Sequence, residues 1–193
     1  MLDRMTPVVK NLVIINVLVF LAQQAFPQMQ FWFMGHYPLS PDFYPWQMVT
    51  YMFMHGGFMH LIGNMLYMWI FADNIEEDIG ATKFLIFYLL SGIGAAMTQV
   101  LIDTQSQVPM VGASGAIGGV LGAYLINHPK AKVLVLIPFG FFSQLIKIRA
   151  LYVLGFWFIL QFISSGGGVA YAAHIGGFVS GMILILFFNK KRK

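Results

Sequence analysis

The chain has 193 residues, of which 59% are hydrophobic and only 9% are charged. A soluble domain carries roughly 25% charged residues, so this composition, with a mean hydropathy of +0.75, excludes an ordinary soluble domain and indicates a membrane protein. There is no cysteine, which excludes disulfides and thiolate metal sites. The net charge of +4 comes from clustered basic residues, which we interpret as membrane-topology signals and not as a nucleic-acid binding surface.

Six apolar segments are candidates for membrane-spanning helices, because about 20 apolar residues are needed to cross the hydrocarbon core. In chain order they are about 9–27, 50–72, 84–102, 110–127, 148–164 and 169–188. The run Val133–Phe142 is shorter and is interrupted by Pro138-Phe-Gly140, so it is predicted to be an interfacial loop. The predicted fold class is therefore an all-α membrane protein, a bundle of six transmembrane helices in which residues 1–193 form a single domain.

The basic residues predict the orientation of these spans, because lysine and arginine concentrate in cytoplasmic connections. All eleven lie before or at the opening of span 1, between spans 2 and 3, between spans 4 and 5, or after span 6: Arg4, Lys10, Lys83, Lys130, Lys132, Lys147, Arg149, Lys190, Lys191, Arg192 and Lys193. The other connections contain none. This distribution predicts an integral membrane protein with both termini in the cytoplasm.

Two connections carry further signals. The external connection at about 28–49 is rich in aromatic residues, which favour the membrane interface, and its three prolines argue against one long helix there. On the cytoplasmic side, an acidic run that includes Glu76 ends span 2, and Gly80 follows as a helix stop. We interpret this run as a solvated loop, with the alternative that Glu76 ties neighbouring helix ends together.

Polar side chains inside a bilayer are costly and are functional candidates. Ser114 lies four residues after the predicted start of span 4, and His174 lies five residues after the predicted start of span 6. At about 1.5 Å per residue, both lie roughly 6–8 Å below their helix starts. Taken alone, Ser114 is better explained as a small packing residue than as a functional one. The pair at matched depth instead predicts that a serine and a histidine meet within the membrane.

Glycines make such a meeting sterically plausible. Span 4 contains five of them, and span 6 contains Gly177 and Gly181 four residues apart. Small residues let helix backbones approach closely in lipid, and close approach is what a short serine side chain needs to reach an imidazole. Each glycine pattern taken alone is also explained by helix packing without any catalytic role.

A serine hydroxyl becomes a good nucleophile when a neighbouring base takes its proton, and a neutral imidazole can accept that proton near neutral pH. Because spans 2, 4 and 6 carry no acidic residue in their external halves, we expect a Ser–His dyad without a carboxylate. His60 and Asn64 share a face of span 2 and, with the Ser114 backbone N–H, could stabilise negative charge on a substrate oxygen. The alternatives are that they only hydrogen-bond other helices, or that His55, His60 and His174 bind a metal.

These residues resemble the rhomboid family of intramembrane serine proteases, in its six-span bacterial form. The resemblance lies in three motifs in order along nearly the whole chain: His55-Gly-Gly-Phe-Met-His60-Leu-Ile-Gly-Asn64, Gly112-Ala-Ser114-Gly115, and Ala173-His174-Ile-Gly-Gly177 with Gly181. The resemblance implies that Ser114 is the nucleophile and His174 the general base, that His60, Asn64 and the Ser114 N–H hold the oxyanion, and that Glu76 braces helix ends. It implies no cofactor.

The chain differs from the family pattern at two positions. Gln47 stands where many members have an arginine that anchors the first external loop, and Gly118 stands where an aromatic residue often stacks on the catalytic histidine. The resemblance further suggests that span 5, with Phe156 and Trp157, and the first external loop are movable gates.

The sequence thus predicts an intramembrane serine endopeptidase whose partners are transmembrane protein substrates and the lipid bilayer, with no nucleic acid, in a bacterial plasma membrane. A non-catalytic membrane protein that captures client helices is the alternative, although it would be expected to lack the serine or the histidine. A transporter would favour internal repeats and a polar pathway at mid-membrane, and the sequence shows neither.

Overall fold

The computed structural model describes residues 5–36, 38, 40–103, 108–139, 142–163 and 170–189. The helices in these ranges are α1 (Pro7–Ala25), α2 (Met29–Phe33), α3 (Gln47–Thr50), α4 (Phe58–Ile79), α5 (Ala81–Ile102), α6 (Ser114–Asn127), α7 (Ala150–Ile163) and α8 (Tyr171–Phe188). A 3-10 turn (Tyr51–Phe53) follows α3, and the strands β1 (Lys132–Phe139) and β2 (Phe142–Arg149) lie between α6 and α7. The protein is therefore mainly helical, as predicted.

Three of the described helices, α1, α5 and α8, are long and apolar enough to cross a membrane. The apolar helices α6 and α7 have 14 residues each, about 21 Å at 1.5 Å per residue. Helix α4 has 22 residues but includes the acidic run. The apolar helices confirm an integral membrane protein with a helical bundle, whereas the number of six spans stays a prediction.

Helix α6 lies at the centre of the bundle, where it contacts α4, α5, α7 and α8. Its residues from Gly115 to Tyr124 are all buried. A Cβ atom added at Gly177 of α8 would collide with the Gly115 carbonyl, and one at Gly181 would collide with the Gly119 backbone. Glycines on both helices therefore permit backbone-to-backbone contact. The residues of α6 from Gly115 to Tyr124 are thus enclosed by the neighbouring helices and do not lie on the surface of the bundle.

Two predicted helix starts are wrong. Span 2 is predicted to begin at about residue 50, but α4 begins at Phe58 and continues to Ile79. Span 4 is predicted to begin at residue 110, but α6 begins at Ser114. The later start of α6 has a physical reason: Met110 pairs with Gly35 in an isolated antiparallel bridge. The two N···O distances are 2.8 and 2.9 Å, and this pairing uses the backbone groups of Met110 that a helix would need. The predicted boundaries at residues 164 and 169 lie outside the described residues.

The acidic run is part of helix α4 and not a solvated loop, so that interpretation is also wrong. Glu76 is only 3% exposed, and its carboxylate accepts hydrogen bonds from the Thr6 hydroxyl at 2.6 Å and from the Val8 and Val9 amides at 3.0 and 2.8 Å. Those amides belong to the first turn of α1, where N–H groups lack partners within the helix and negative charge is favourable. The contacts agree with the alternative in which Glu76 ties helix ends. Helix α4 stops at Gly80, whose φ is +89°.

The segment between α6 and α7 corrects another prediction. The run Val133–Phe142 was expected to be an interfacial loop, but its described residues, 133–139 and 142, belong to strands β1 and β2, which pair antiparallel from Lys132 opposite Arg149 to Phe139 opposite Phe142. β-Branched residues at every second position of β1 suit a pleated strand. The length of this run excluded a span, but a short apolar run enriched in β-branched residues was the signal for a strand.

The connection after α1, predicted to be external, contains the short helices α2 and α3 and no long helix among its described residues. Gln47 is fully buried and bonds four backbone groups of this connection. Its Oε1 accepts from the amides of Tyr44 at 3.1 Å and His36 at 3.4 Å, and its Nε2 donates to the carbonyls of Asp42 at 3.2 Å and Trp32 at 3.3 Å. A neutral amide thus anchors the loop at the position where the family resemblance led us to expect an arginine.

Candidate active site

The structure brings Ser114 and His174 together. Ser114 is the first residue of α6, and His174 lies in the first turn of α8. The Ser114 Oγ and His174 Nε2 atoms are 2.9 Å apart, which is hydrogen-bond distance. Ser114 is at the very start of its helix and not one turn inside it. The comparison of residue depths therefore indicated a pair that does meet, although the helix start used for Ser114 was wrong. The close contact of α6 with α8 is what makes the pairing possible.

The turn that presents Ser114 requires glycine at position 112. Gly112 has φ +111°, a conformation that L side chains rarely adopt, and a Cβ atom there would lie 2.6 Å from His60 Nε2. The Gly112 N–H donates to the Tyr51 carbonyl at 3.0 Å, which fixes the turn against the segment before α4. As the first residue of α6, Ser114 has a backbone N–H outside the intrahelical hydrogen-bond pattern.

The second ring nitrogen of His174 has a partner that the sequence analysis missed. Its Nδ1 lies 2.8 Å from Oε1 of Gln161 on α7, and Gln161 is only 8% exposed. The Gln161 Nε2 donates in turn to the Trp157 carbonyl at 2.8 Å. A signal was available, because Gln161 is a single amide in an otherwise apolar span and polar groups in spans are functional candidates.

His60 faces the same space from α4, with its ring oriented by the backbone. Its Nδ1 lies 3.4 Å from the Gly56 amide nitrogen. Because an amide N–H can only donate, Nδ1 is the accepting nitrogen, and a neutral ring then carries its proton on Nε2. That nitrogen is the one beside Gly112. His60 is therefore placed as a hydrogen-bond donor at the start of α6.

Asn64 lies one turn further along α4. It is 7% exposed, and its Nδ2 has no hydrogen-bond partner among the described residues. The nitrogen would lie 3.4 Å from a Cβ placed on Gly112, so it borders the turn that precedes Ser114. A buried unpaired donor calls for an explanation, and a ligand oxygen in the adjoining space would supply its partner.

The four predicted site residues line one cavity of about 1020 Å³. Ser114 and His174 lie on one side, with His60 and Asn64 on the helix α4 side. Residues of the irregular segments before α4 and before α6 also line the cavity, together with Trp157, Gln99 and Asp103. The cavity therefore reaches from the reacting pair to the end of the bundle from which α4, α6 and α8 begin.

Trp157 of α7 lies beside the ring of His174. The ring centroids are 5.9 Å apart and the planes are inclined by 31°. At Gly118, the position where the resemblance suggested a stacking aromatic residue, an added Cβ would lie 3.0 Å from the His174 carbonyl oxygen. An aromatic contact to His174 is thus supplied by α7, while Gly118 lets α6 and α8 approach.

A metal centre formed by the histidines finds no support within the described ranges. No group of three or more potential metal-binding side chains converges in that part of the chain. The rings of His55 and His60 meet edge to face, with centroids 5.2 Å apart. The arrangement around Ser114 instead contains a hydroxyl, a nitrogen base and several donors, the components that acyl transfer requires.

Comparisons with known proteins show the family to which the chain belongs. The sequence model of the Rhomboid domain matches residues 42–191. The chain is 30% identical over 179 residues to rhomboid protease GlpG of Haemophilus influenzae, covering 92% of this chain and 88% of that protein. It is also 30% identical over 148 residues to putative rhomboid protease YdcA of Bacillus subtilis, covering 77% and 69% of the two chains.

Other relatives are longer than this chain. The match to RHOMBOID-like protein 5 of Arabidopsis thaliana has 31% identity over 141 residues and covers only 42% of that protein. For rhomboid-like protease 3 of Toxoplasma gondii the covered share is 56%. The family match nevertheless extends over most of the described bundle, including α4, α6 and α8. The chain is an integral membrane protein that belongs to the rhomboid family.

Proposed function

We propose that this protein is an intramembrane serine protease that hydrolyses peptide bonds in or near the transmembrane segments of other membrane proteins. Ser114 is the proposed nucleophile and His174 the proposed general base. The observation that carries the proposal is the 2.9 Å separation of Ser114 Oγ and His174 Nε2 in a cavity that also contains His60 and Asn64. The named proteases among the relatives support the same reaction class.

In the proposed first step, Ser114 Oγ bonds to the carbonyl carbon of the scissile peptide while its proton passes to His174 Nε2. The carbonyl oxygen becomes an oxyanion, which accepts hydrogen bonds from His60 Nε2, Asn64 Nδ2 and the Ser114 N–H. The C–N bond then breaks, and His174 returns the proton to the leaving amine. Water, deprotonated by His174, hydrolyses the acyl-enzyme and restores Ser114. This chemistry uses protein groups alone and needs no cofactor.

The proposed substrate must expose a peptide carbonyl, because an intact transmembrane helix keeps its carbonyls hydrogen-bonded. We therefore expect cleavage where small or helix-breaking residues weaken the substrate helix. The whole chain, residues 1–193, acts as one domain in this proposal. The basic residues favour a plasma membrane orientation with both termini in the cytoplasm, so that the cavity opens toward the external side.

A fluorophosphonate serine probe tests the proposal most directly. The purified protein should be labelled at Ser114 and should cleave a transmembrane substrate in liposomes. Ser114→Ala and His174→Ala should abolish cleavage, because each removes one partner of the 2.9 Å contact. Ser180→Ala is the matched control, since Ser180 lies in α8 but does not line the cavity.

Ser180→Ala should retain both labelling and cleavage. Capture of client helices with no labelling and no cleavage would support a non-catalytic binding protein in place of the protease. Wild-type turnover by Ser114→Ala would exclude the proposed nucleophile.

A further inference from the structure

The amide of Gln161 joins α7 to the proposed catalytic pair. It lies in a helix whose other residues from Ala150 to Ile163 are apolar, and it is buried. Each end of the amide makes one 2.8 Å contact, Nε2 with the Trp157 carbonyl and Oε1 with His174 Nδ1. Both are well within hydrogen-bond distance.

The chemistry of these partners determines which way the amide points. The carbonyl of Trp157 can only accept a hydrogen bond, so the NH₂ group of Gln161 must face it. The oxygen of Gln161 therefore faces His174, and this oxygen can only accept. Nδ1 of His174 must then carry the proton, because two acceptors cannot bond each other. In the neutral ring this leaves Nε2 unprotonated.

We infer that Gln161 is a positioning residue that selects the tautomer of His174 in which Nε2 is free to take the Ser114 proton, and this inference rests on the proposed function. A continuous series of donors and acceptors runs from the Trp157 carbonyl through Gln161 and His174 to Ser114. If Nε2 carried the proton instead, the ring would donate to Ser114 Oγ and could not act as its base.

The same contact becomes stronger as the proposed reaction proceeds. When His174 takes the proton from Ser114, the ring becomes positively charged and its Nδ1–H donates a charge-assisted hydrogen bond to Gln161, which is roughly twice as strong as a neutral one. An interaction that strengthens in the transition state lowers the barrier to the chemical step. A neutral amide achieves this without the desolvation cost of a carboxylate buried in an apolar helix.

Gln161→Met tests this role, because methionine nearly conserves volume but has no oxygen to accept from Nδ1. Asn16→Leu is the matched control. Asn16 is also a buried amide in an apolar helix, and its Nδ2 bonds the carbonyl four residues earlier at 2.8 Å, as Gln161 does, but Asn16 does not line the cavity. Both variants lose the hydrogen bond from the side-chain amide to the carbonyl four residues earlier. Only Gln161→Met also loses the contact with His174.

For Gln161→Met, kcat should fall about 10- to 100-fold with KM unchanged, because a hydrogen bond to a charged group contributes about 1.5–3 kcal/mol. Asn16→Leu should keep the wild-type kcat. Nitrogen-15 NMR of the histidine ring should report the Nδ1–H form of His174 in the wild type and its partial loss in Gln161→Met. Unchanged kcat in a folded Gln161→Met variant would overturn the inference.

If Gln161→Met does not fold, the role of Gln161 can still be tested on the wild-type protein alone. An Nε2–H form of His174 in the wild type would refute the role of Gln161 whether or not the protein is active. Failure of the fluorophosphonate probe to label wild-type Ser114 would instead refute the proposed protease function. The two failures are therefore distinguishable.

Discussion

Replacing Asn64 by alanine removes an amide donor that has no partner within the described structure. If the donor is reserved for the oxyanion, its loss should lower kcat by roughly 100- to 1,000-fold, or about 2.7–4 kcal/mol. We expect the lower end, because His60 Nε2 and the Ser114 N–H remain. The free energy of unfolding should change by no more than about 1 kcal/mol, since no existing hydrogen bond is broken and the truncated side chain borders a cavity.

The assay is cleavage of a transmembrane substrate in liposomes, with kcat and KM measured separately, alongside unfolding of the same preparation. Asn16→Ala is the control, since it truncates a buried amide that does not line the cavity. A large loss of rate with stability preserved would assign Asn64 to the transition state. The reasoning is refuted if Asn64→Ala retains the wild-type kcat, or if rate and stability fall together as in a packing defect.

Two further predictions concern the scaffold. Glu76→Gln should lower the free energy of unfolding by about 2–4 kcal/mol, because it weakens charge-assisted hydrogen bonds to the first turn of α1. Glu77→Gln makes the same charge change at an exposed position and should have the wild-type free energy of unfolding, so equal stability of the two variants would contradict the prediction. Gly177→Ala should destabilise by about 1–3 kcal/mol and reduce turnover, because its methyl group meets the rigid Gly115 carbonyl. Gly155→Ala, with open space at its Cβ, should be tolerated in both assays, and tolerance of Gly177→Ala would mean that α6 and α8 can separate freely.

Several features were readable from local sequence because the membrane constrains them strongly. Apolar length and low charge indicated a helical membrane protein, and Gly80 was recognised as a helix stop. The hairpin of β1 and β2 was missed because a length criterion for spans does not test for enrichment in β-branched residues. The start of α6 was misplaced because the backbone of Met110 bonds Gly35, which is 75 residues away in the chain, and no local pattern reveals such a partner.

Some features of the candidate site could likewise be predicted from the sequence, and others could not. Ser114, His174, His60 and Asn64 could be proposed from residue type, depth and spacing, since few polar groups occur in the apolar spans. Gln161 could have been singled out in the same way, as an amide in an apolar helix, but its contact with His174 could not be predicted, because it depends on how α7 packs against α8. The anchoring of the connection after α1 by Gln47 could not be predicted for a similar reason, because the four partners of Gln47 are backbone groups.

The sequence by itself determined that this chain is a membrane-embedded helical protein, and it predicted a serine, two histidines and an amide as the site of acyl transfer. Only the tertiary structure decided that Ser114 Oγ and His174 Nε2 are 2.9 Å apart, and that Gln161 Oε1 lies 2.8 Å from the other ring nitrogen of His174. Composition and periodicity are local properties, because they indicate only whether a segment is favoured in water or in lipid and which secondary structure it forms. Hydrogen-bond geometry depends on how glycine-lined helices pack across the bundle, a property that no single segment contains.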